Sequence, residues 1–295
     1  MAGSDAGTVT LRAEHAELRL APALGGRITS LRDLRSGHEW LAQPAGPPVG
    51  STYGAVFTDG DMAGWDEMVP TIVACDAPVV GVALPDHGEA WAVPWRIHRH
   101  DATQLRMSVR GSVLEYDLVR TIEVAGPAAF ELRYALHSRH PGLLPMLWAA
   151  HPQFVWTPGT RIELEAHVTQ VLEVTAPGCP VIAWDRELAA WLDSAAVGAS
   201  RKVWLPPDVA PSQVGLAGPQ GRLELAWDPT EVPYLGIWYD AQACARTRVV
   251  ALEPSTGYYD DLAAAAVRGR VPVLEPGRPQ RWSLRVSVQP PGPMR

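Results

Sequence analysis

The sequence lacks the features that mark several classes of protein. Lysine occurs only once, as Lys202, and the acidic residues outnumber the basic ones, which gives a formal net charge of −7. Non-specific binding to nucleic acid needs clustered basic side chains, so this composition argues against a nucleic-acid partner. No apolar run reaches the roughly 18 residues that a membrane span requires, so we expect no membrane partner either.

Cysteine is also scarce. The three cysteines, Cys75, Cys179 and Cys244, form no CxxC pair and lie far apart, which argues against a disulfide framework or a zinc site. His98 and His100 would share one face of a strand without a clear third ligand, so we predict no metal site. The first residues show no basic segment followed by an apolar one, and we therefore expect a cytoplasmic protein with reduced thiols.

Proline, with 28 residues, and glycine, with 26, are abundant in this chain of 295 residues. Both disfavour helix interiors and suit short strands joined by turns. Only Asp185–Ala195 and Asp260–Arg268 have the pattern of short helices, each with an acidic start. Period-two alternation predicts the main strands, which cover Leu105–Arg110, Val113–Val124, Phe130–His137, Arg161–Val174, Arg222–Trp227, Leu235–Tyr239, Arg248–Leu252 and Arg281–Val288. We predict an all-β fold, a single antiparallel domain over residues 1–295 built as a sandwich or a distorted barrel.

Tryptophan is frequent, with 12 residues. Half of these lie near polar clusters, namely Trp65, Trp91, Trp95, Trp148, Trp156 and Trp238. Aromatic faces beside hydrogen-bonding groups suit the C–H faces and hydroxyls of sugar rings, although a large β-sheet core also buries tryptophan. Trp65, Trp148 and Trp238 are therefore candidate residues for binding a carbohydrate.

Ionisable residues stand among turn-forming and aromatic residues in four segments: Gly64–Pro70, Pro85–Trp95, Trp148–Phe154 and Leu252–Asp260. His151 precedes a proline at the predicted end of a strand, where it can reach a cleft and exchange protons near neutral pH. Glu253 ends an apolar strand, a setting in which partial burial favours a general base. Taken alone, each of the two also fits a residue without a catalytic role.

Six motifs, in their order along the chain, resemble those of the aldose 1-epimerase (galactose mutarotase) superfamily. They are Leu24–Leu31, Gly64–Thr71, Asp86–Gly88, His151–Phe154, Glu253–Asp260 and Leu274–Gly277. The resemblance covers nearly the whole chain. It implies an antiparallel, galactose mutarotase-like β-supersandwich with a few short helices and a sugar cleft. It also implies an isomerase that needs no cofactor and no metal and interconverts the α and β anomers of a free hexose.

The resemblance also implies roles for three residues. Glu253 would be the general base on the anomeric hydroxyl, and His151 would be the general acid that protonates the ring oxygen. The ring would open, the aldehyde would rotate about C1–C2, and the ring would reclose with the two roles reversed, which suits groups that exchange protons near pH 7. His87 would hold a sugar hydroxyl or help to position the ring.

The sequence departs from the better-known mutarotases near the expected sugar site. An Asn-Arg segment that supplies a substrate-binding arginine is missing, and residues 59–67 occupy its place. We therefore expect Asp66 and Glu67, together with Asp61, to bind hydroxyl groups or an amino sugar. The family's substrate-binding aspartate has no clear match here, and Asp185 and Asp228 are the candidates.

Two other functions stay open on the sequence. One is a non-catalytic sugar-binding module, which would need neither Glu253 nor His151. The other is a related acid–base enzyme that acts on a glycosylated metabolite in the same cleft. In each case we expect a small-molecule carbohydrate partner and a monomer or homodimer.

Overall fold

The period-two alternation of the sequence becomes antiparallel strands with one buried face. The computed structural model describes residues 7–291. Along Gly221–Trp227 and Gln280–Gln289, buried residues alternate with more exposed ones, because successive side chains of a strand point to opposite faces of the sheet. This alternation suits sheets that pack on a core with one face and meet solvent with the other.

The described residues form 22 strands and two α-helices, with three additional 3-10 turns at Phe57–Asp59, Ala90–Ala92 and Trp191–Asp193. In chain order the elements are β1 (Val9–Arg12), β2 (Ala16–Ala21), β3 (Arg27–Asp33), β4 (Trp65–Met68), β5 (Cys75–Asp76), β6 (Ala83–Leu84), β7 (Arg96–His100), β8 (Gln104–Arg110), β9 (Tyr116–Gly126), β10 (Ala129–Ser138), β11 (Leu144–Pro145), β12 (Ala149–Val155), β13 (Arg161–Glu163), β14 (Gln170–Glu173), β15 (Val181–Ala183), α1 (Arg186–Ala189), β16 (Ala199–Trp204), β17 (Gln213–Gly218), β18 (Gly221–Trp227), β19 (Tyr234–Ala241), β20 (Arg248–Ser255), α2 (Leu262–Val267), β21 (Val273–Leu274) and β22 (Gln280–Gln289).

Two large sheets contain most of these strands. The first has ten strands in the order β1-β2-β3-β4-β12-β20-β19-β16-β14-β15, and the second has eight in the order β13-β17-β18-β22-β10-β9-β8-β7. Neighbouring strands within both sheets pair antiparallel. The main hydrophobic cluster draws residues from both sheets, so the apolar core lies between them. The all-β sandwich predicted from the sequence is therefore confirmed, whereas the single domain over residues 1–295 stays a prediction.

The helices are shorter than the sequence pattern suggests, but they begin where it places them. Asp185 and Asp261 are the N-caps of α1 and α2, and each side chain accepts a backbone N–H three residues on. The segment Asp185–Ala195 splits into α1 and a 3-10 turn. No helix within residues 7–291 is both long and apolar enough to cross a bilayer.

One predicted strand is wrong. Arg161–Val174 forms two short strands that belong to different sheets: β13 pairs with β17 in the eight-stranded sheet, and β14 pairs with β15 and β16 in the ten-stranded sheet. The intervening residues cross from one layer to the other, a path that alternation along the sequence does not reveal.

Candidate functional site

The candidate site lies on the face of the ten-stranded sheet that points away from the eight-stranded one. Glu67 on β4 contacts Arg120 of the opposite sheet, so its neighbour Asp66 points to the other face. His151 on β12 is the cross-strand partner of Asp66 and shares that outer face. Glu253, on the adjacent strand β20, lies close to His151, which places both side chains at the middle of the sheet.

His151 and Glu253 form a close, buried pair. The Nδ1 atom of His151 lies 3.3 Å from Oε1 of Glu253, and the two side chains are only 5% and 1% exposed. Among the described residues, His151 Nδ1 has no aligned hydrogen-bond partner, so this contact is close but is not a hydrogen bond. Gly236 faces Glu253 on β19, and a Cβ there would lie 3.2 Å from Oε2, so the glycine leaves room for the carboxylate.

Lys202 on β16 completes the charged side of the site. Its ammonium nitrogen lies 2.7 Å from Oε2 of Glu253 and 2.6 Å from Oδ1 of Asp260. Burial alone would oppose ionisation of Glu253, but the Lys202 charge and the His151 side chain outweigh it and lower the pKa of Glu253 to about 2. The two carboxylates likewise raise the pKa of Lys202 against the effect of burial, so the ammonium is the stable form.

His87 enters the site from a loop. Its Nδ1 atom lies 2.9 Å from Oδ1 of Asp86, and because a carboxylate can only accept, Nδ1 carries the proton. The imidazole stacks on Phe57, with ring centroids 3.9 Å apart, and its centroid is 5.1 Å from that of His151. Burial lowers the pKa of His87 more than Asp86 raises it, so the neutral ring predominates at pH 7 and its Nε2 is free to accept a hydrogen bond.

These groups surround a cavity of about 200 Å³. Its charged or polar lining residues are Thr58, His87, His151, Lys202, Glu253 and Asp260. The other lining residues are Phe57, Met62, Ile72, Val73, Trp238 and Cys244. Such a combination of apolar lining and a few convergent polar groups is typical of small-molecule sites. The arrangement can bind a compact ligand and place groups able to transfer protons beside it.

The backbone that presents His87 depends on Gly88. Gly88 has φ +70°, and a Cβ added there would overlap the carbonyl group of Val69. We expect Gly88→Ala to lower the free energy of unfolding by roughly 2–4 kcal/mol, since it adds a backbone clash to the cost of a left-handed conformation. Chemical denaturation followed by circular dichroism measures this change.

Gly81→Ala is the matched control, because Gly81 has φ +64° but open space around its Cβ position. We expect this variant to lose only about 1 kcal/mol, the cost of the left-handed backbone by itself. Equal losses in the two variants would show that the contact with Val69 is unimportant.

The structure brings four of the eight predicted site residues into the cavity. Glu253, His151, His87 and Trp238 line it, and the ring centroids of Trp238 and His151 are 5.9 Å apart. These four side chains therefore face one space.

The other four predicted residues lie elsewhere. Asp66 is buried against Arg27, and Trp65 is fully buried in the main hydrophobic cluster. Glu67 and Trp148 lie between the sheets, where Nε1 of Trp148 donates to Oε2 of Glu67 at 2.6 Å. None of these four side chains lines the cavity. β4 directs Trp65 and Glu67 into the core, and Arg27 covers Asp66.

The remaining aspartate candidates are also outside the cavity lining. Asp61 pairs with Arg27, Asp185 caps α1, and Asp228 binds Thr230 in an exposed turn. The sequence pattern does not place Lys202 at the site, and Asp260 belongs only to the motif Glu253–Asp260. The one signal for Lys202 was that it is the sole lysine of an arginine-rich chain.

No group of three or more His, Cys, Asp and Glu side chains within residues 7–291 has the arrangement of a metal site. His98 on β7 is largely exposed and its Nε2 lies 2.7 Å from the hydroxyl of Ser108.

Comparison with solved structures identifies the fold. The chain superposes on the Slr1438 protein from Synechocystis sp. PCC 6803 with a TM-score of 0.76 and 15% identity, covering 99% of this chain and 98% of that one. It matches a galactose mutarotase-like protein from Lactobacillus casei ATCC 334 with a TM-score of 0.71 and 13% identity, over 96% and 100% of the two chains. It matches a galactose mutarotase related enzyme from Lactobacillus acidophilus with a TM-score of 0.68 and 15% identity, over 96% and 97%.

No protein-family model matches the sequence. No curated protein matches it either. At identities of 13–15% the structural similarity shows the fold alone, and it confirms the galactose mutarotase-like supersandwich expected from the six motifs.

Proposed function

We propose that the protein is an aldose 1-epimerase-type isomerase that interconverts the α and β anomers of a free hexose. Glu253 takes the proton of the anomeric hydroxyl while His151 protonates the ring oxygen, and the C1–O5 bond breaks. The open-chain aldehyde rotates about C1–C2 and the ring recloses as His151 withdraws the proton and Glu253 returns its own. Proton transfer in both directions needs no cofactor, since each group regains its starting state after one turnover.

The observation that carries the proposal is that His151 Nδ1 and Glu253 Oε1 lie 3.3 Å apart and that both side chains line the cavity. The two oxygens that exchange protons in anomer interconversion are bonded to the same carbon. An acid and a base that serve them must therefore both reach one small volume. His87, with its free Nε2, is placed to accept a hydrogen bond from a ring hydroxyl.

The cavity suits a compact ligand such as a free monosaccharide. Its volume of about 200 Å³ lies below the range of pockets that hold drug-sized ligands. Trp238 lines the cavity with an aromatic ring, against which the C–H face of a sugar ring packs well.

One observation favours a second candidate function, a sugar-binding module without turnover. Lys202 lowers the pKa of Glu253 to about 2, far from neutral pH, and a weakly basic carboxylate is a less effective proton acceptor. In that case the same cavity would bind a sugar and leave its anomeric equilibrium unchanged.

Exchange NMR on equilibrated anomers tests both candidates. D-glucose, D-galactose, D-mannose and their amino sugars would each be measured with the folded protein and with heat-denatured protein as the blank. We expect faster exchange between the α and β signals of at least one sugar. Line broadening or a thermal shift without faster exchange would overturn the isomerase in favour of the binding module. No response to any of these sugars would contradict both functions.

A further inference from the structure

Lys202 contacts the proposed base directly and shares its ammonium group with a second carboxylate. The side chain is 12% exposed, and its nitrogen is within 2.7 Å of Glu253 Oε2 and 2.6 Å of Asp260 Oδ1. The same nitrogen lies 5.5 Å from the ring centroid of Trp204, a distance that adds a cation–π attraction. Glu253, Asp260 and Trp204 together hold the ammonium group in place.

The two carboxylates differ in what the proposed reaction asks of them. Glu253 changes charge in every turnover, because it gains and then loses the sugar proton. Asp260 transfers no proton in the proposed reaction. Its backbone carbonyl accepts hydrogen bonds from the N–H groups of Ile72 and Val73, at 3.0 and 2.8 Å. When Glu253 is protonated, Lys202 still has Asp260 as its counter-ion, so the buried ammonium is never left unpaired.

We infer that Lys202, anchored by Asp260, is a positioning residue that sets the charge and the direction of the Glu253 carboxylate. The inference rests on the proposed function only for its effect on the reaction rate. The ion pair between Lys202 and Glu253 is present in the protein without any substrate. Lys202 acts through Glu253 and has no proton-transfer step of its own.

Charged and titratable groups approach Glu253 from several elements. His151 approaches from β12, Lys202 from β16, and Asp260 from the turn after β20. His87, bonded to Asp86, lines the same cavity from the loop before Gly88, and Cys244 lines it from the turn after β19. Within this set Lys202 is the one permanent cation, so its removal should affect Glu253 more than any other single change.

The direction of the expected pH effect follows from these contacts. Lys202 holds the pKa of Glu253 at about 2, so the carboxylate stays ionised at any pH above roughly 3. Without the ammonium, burial is opposed by His151 but no longer by Lys202, and we expect the pKa of Glu253 to rise. Glu253 then becomes protonated as the pH falls through this higher value, and the base is lost.

Lys202→Met and Asp260→Asn separate this role from a purely structural one. Both variants break the same ion pair, but only the first removes the positive charge beside Glu253. We expect Lys202→Met to move the Glu253 side-chain carboxyl titration, followed by ¹³C NMR and assigned with Glu253→Gln, upward by roughly three pH units. Asp260→Asn should leave it at or below the wild-type midpoint, and Lys202→Arg should keep it low because the charge is retained.

The acid side of the kcat/KM profile is the second measurement. With each rate normalised to its own value at pH 8, Lys202→Met should be roughly twofold below wild type at pH 5 and roughly tenfold below it at pH 4, whereas Asp260→Asn and Lys202→Arg should follow wild type. Parallel shifts in Lys202→Met and Asp260→Asn would overturn the inference and indicate a structural ion pair.

The carboxyl titration also keeps the inference testable without activity. A wild-type Glu253 midpoint at or above about 4.5 would overturn it, even if Lys202→Met fails to fold. If the wild-type protein accelerates no anomer exchange but the titrations behave as expected, the proposed function fails and the role of Lys202 stands.

Discussion

Replacing Glu253 by Gln is expected to slow protein-catalysed anomer exchange by roughly 10²–10⁴-fold, because the substitution removes a positioned proton acceptor and little else. The amide is close in size to the carboxylate, and Lys202 keeps Asp260 as a counter-ion 2.6 Å away. Loss of the Glu253 charge therefore leaves no unpaired ammonium in the cavity. Exchange NMR at saturating sugar measures the rate constant, and thermal denaturation checks that the fold is intact.

Glu163→Gln is the matched control for this experiment. Glu163 lies on β13 in the other sheet and pairs with Arg222 at 2.9 Å, far from the cavity lining. We expect the exchange rate of this variant to stay within about twofold of wild type, since surface substitutions of this kind change stability by less than about 1 kcal/mol. An unchanged exchange rate in Glu253→Gln would show that the Glu253 carboxylate takes no part in the reaction.

The second large effect concerns stability. Arg120→Met is expected to lower the free energy of unfolding by roughly 3–5 kcal/mol, because it leaves the buried Glu67 carboxylate without its cation. Arg120 Nη1 lies 2.6 Å from Glu67 Oε1, and both side chains are fully buried between the sheets. Tyr134 also donates to Glu67, so the ion pair is the centre of a small polar network.

Urea denaturation monitored by circular dichroism measures this loss. Arg133→Met is the control, because Arg133 forms an exposed pair with Glu123 that should contribute about 0–1 kcal/mol. The double variant Glu67→Gln/Arg120→Met should regain part of the loss, since the neutral amide no longer needs a cation and can still accept from Tyr134. Additive losses in the double variant would mean that the two side chains are not coupled.

The contrast between Glu67 and Glu253 shows what the sequence can and cannot predict. The fold follows from local patterns: alternation predicts strands such as β18 and β22, and acidic N-caps mark both helices. Six ordered motifs then indicate the supersandwich. A carboxylate next to turn residues has the same local appearance whether it points into a cavity or into the core.

Long-range partners decide between those two outcomes. Glu67 meets Arg120 53 residues later in the chain, and Asp66 meets Arg27 39 residues earlier. Neither pairing leaves a local mark in the sequence, so both acids were predicted as sugar ligands. Lys202 is the opposite case, because nothing adjacent to it indicates that β16 directs its side chain toward Glu253.

The position of the His151–Glu253 pair on β12 and β20 has a consequence for how the protein folds. These neighbouring strands are separated by about a hundred residues of chain, and bringing such distant segments together carries a large loop-closure entropy. Pairings of high sequence separation slow folding and form with the tertiary structure, not ahead of it. The alignment of His151 with Glu253 is thus a product of the completed ten-stranded sheet, and we expect the cavity between them to form during refolding only with the last cooperative phase.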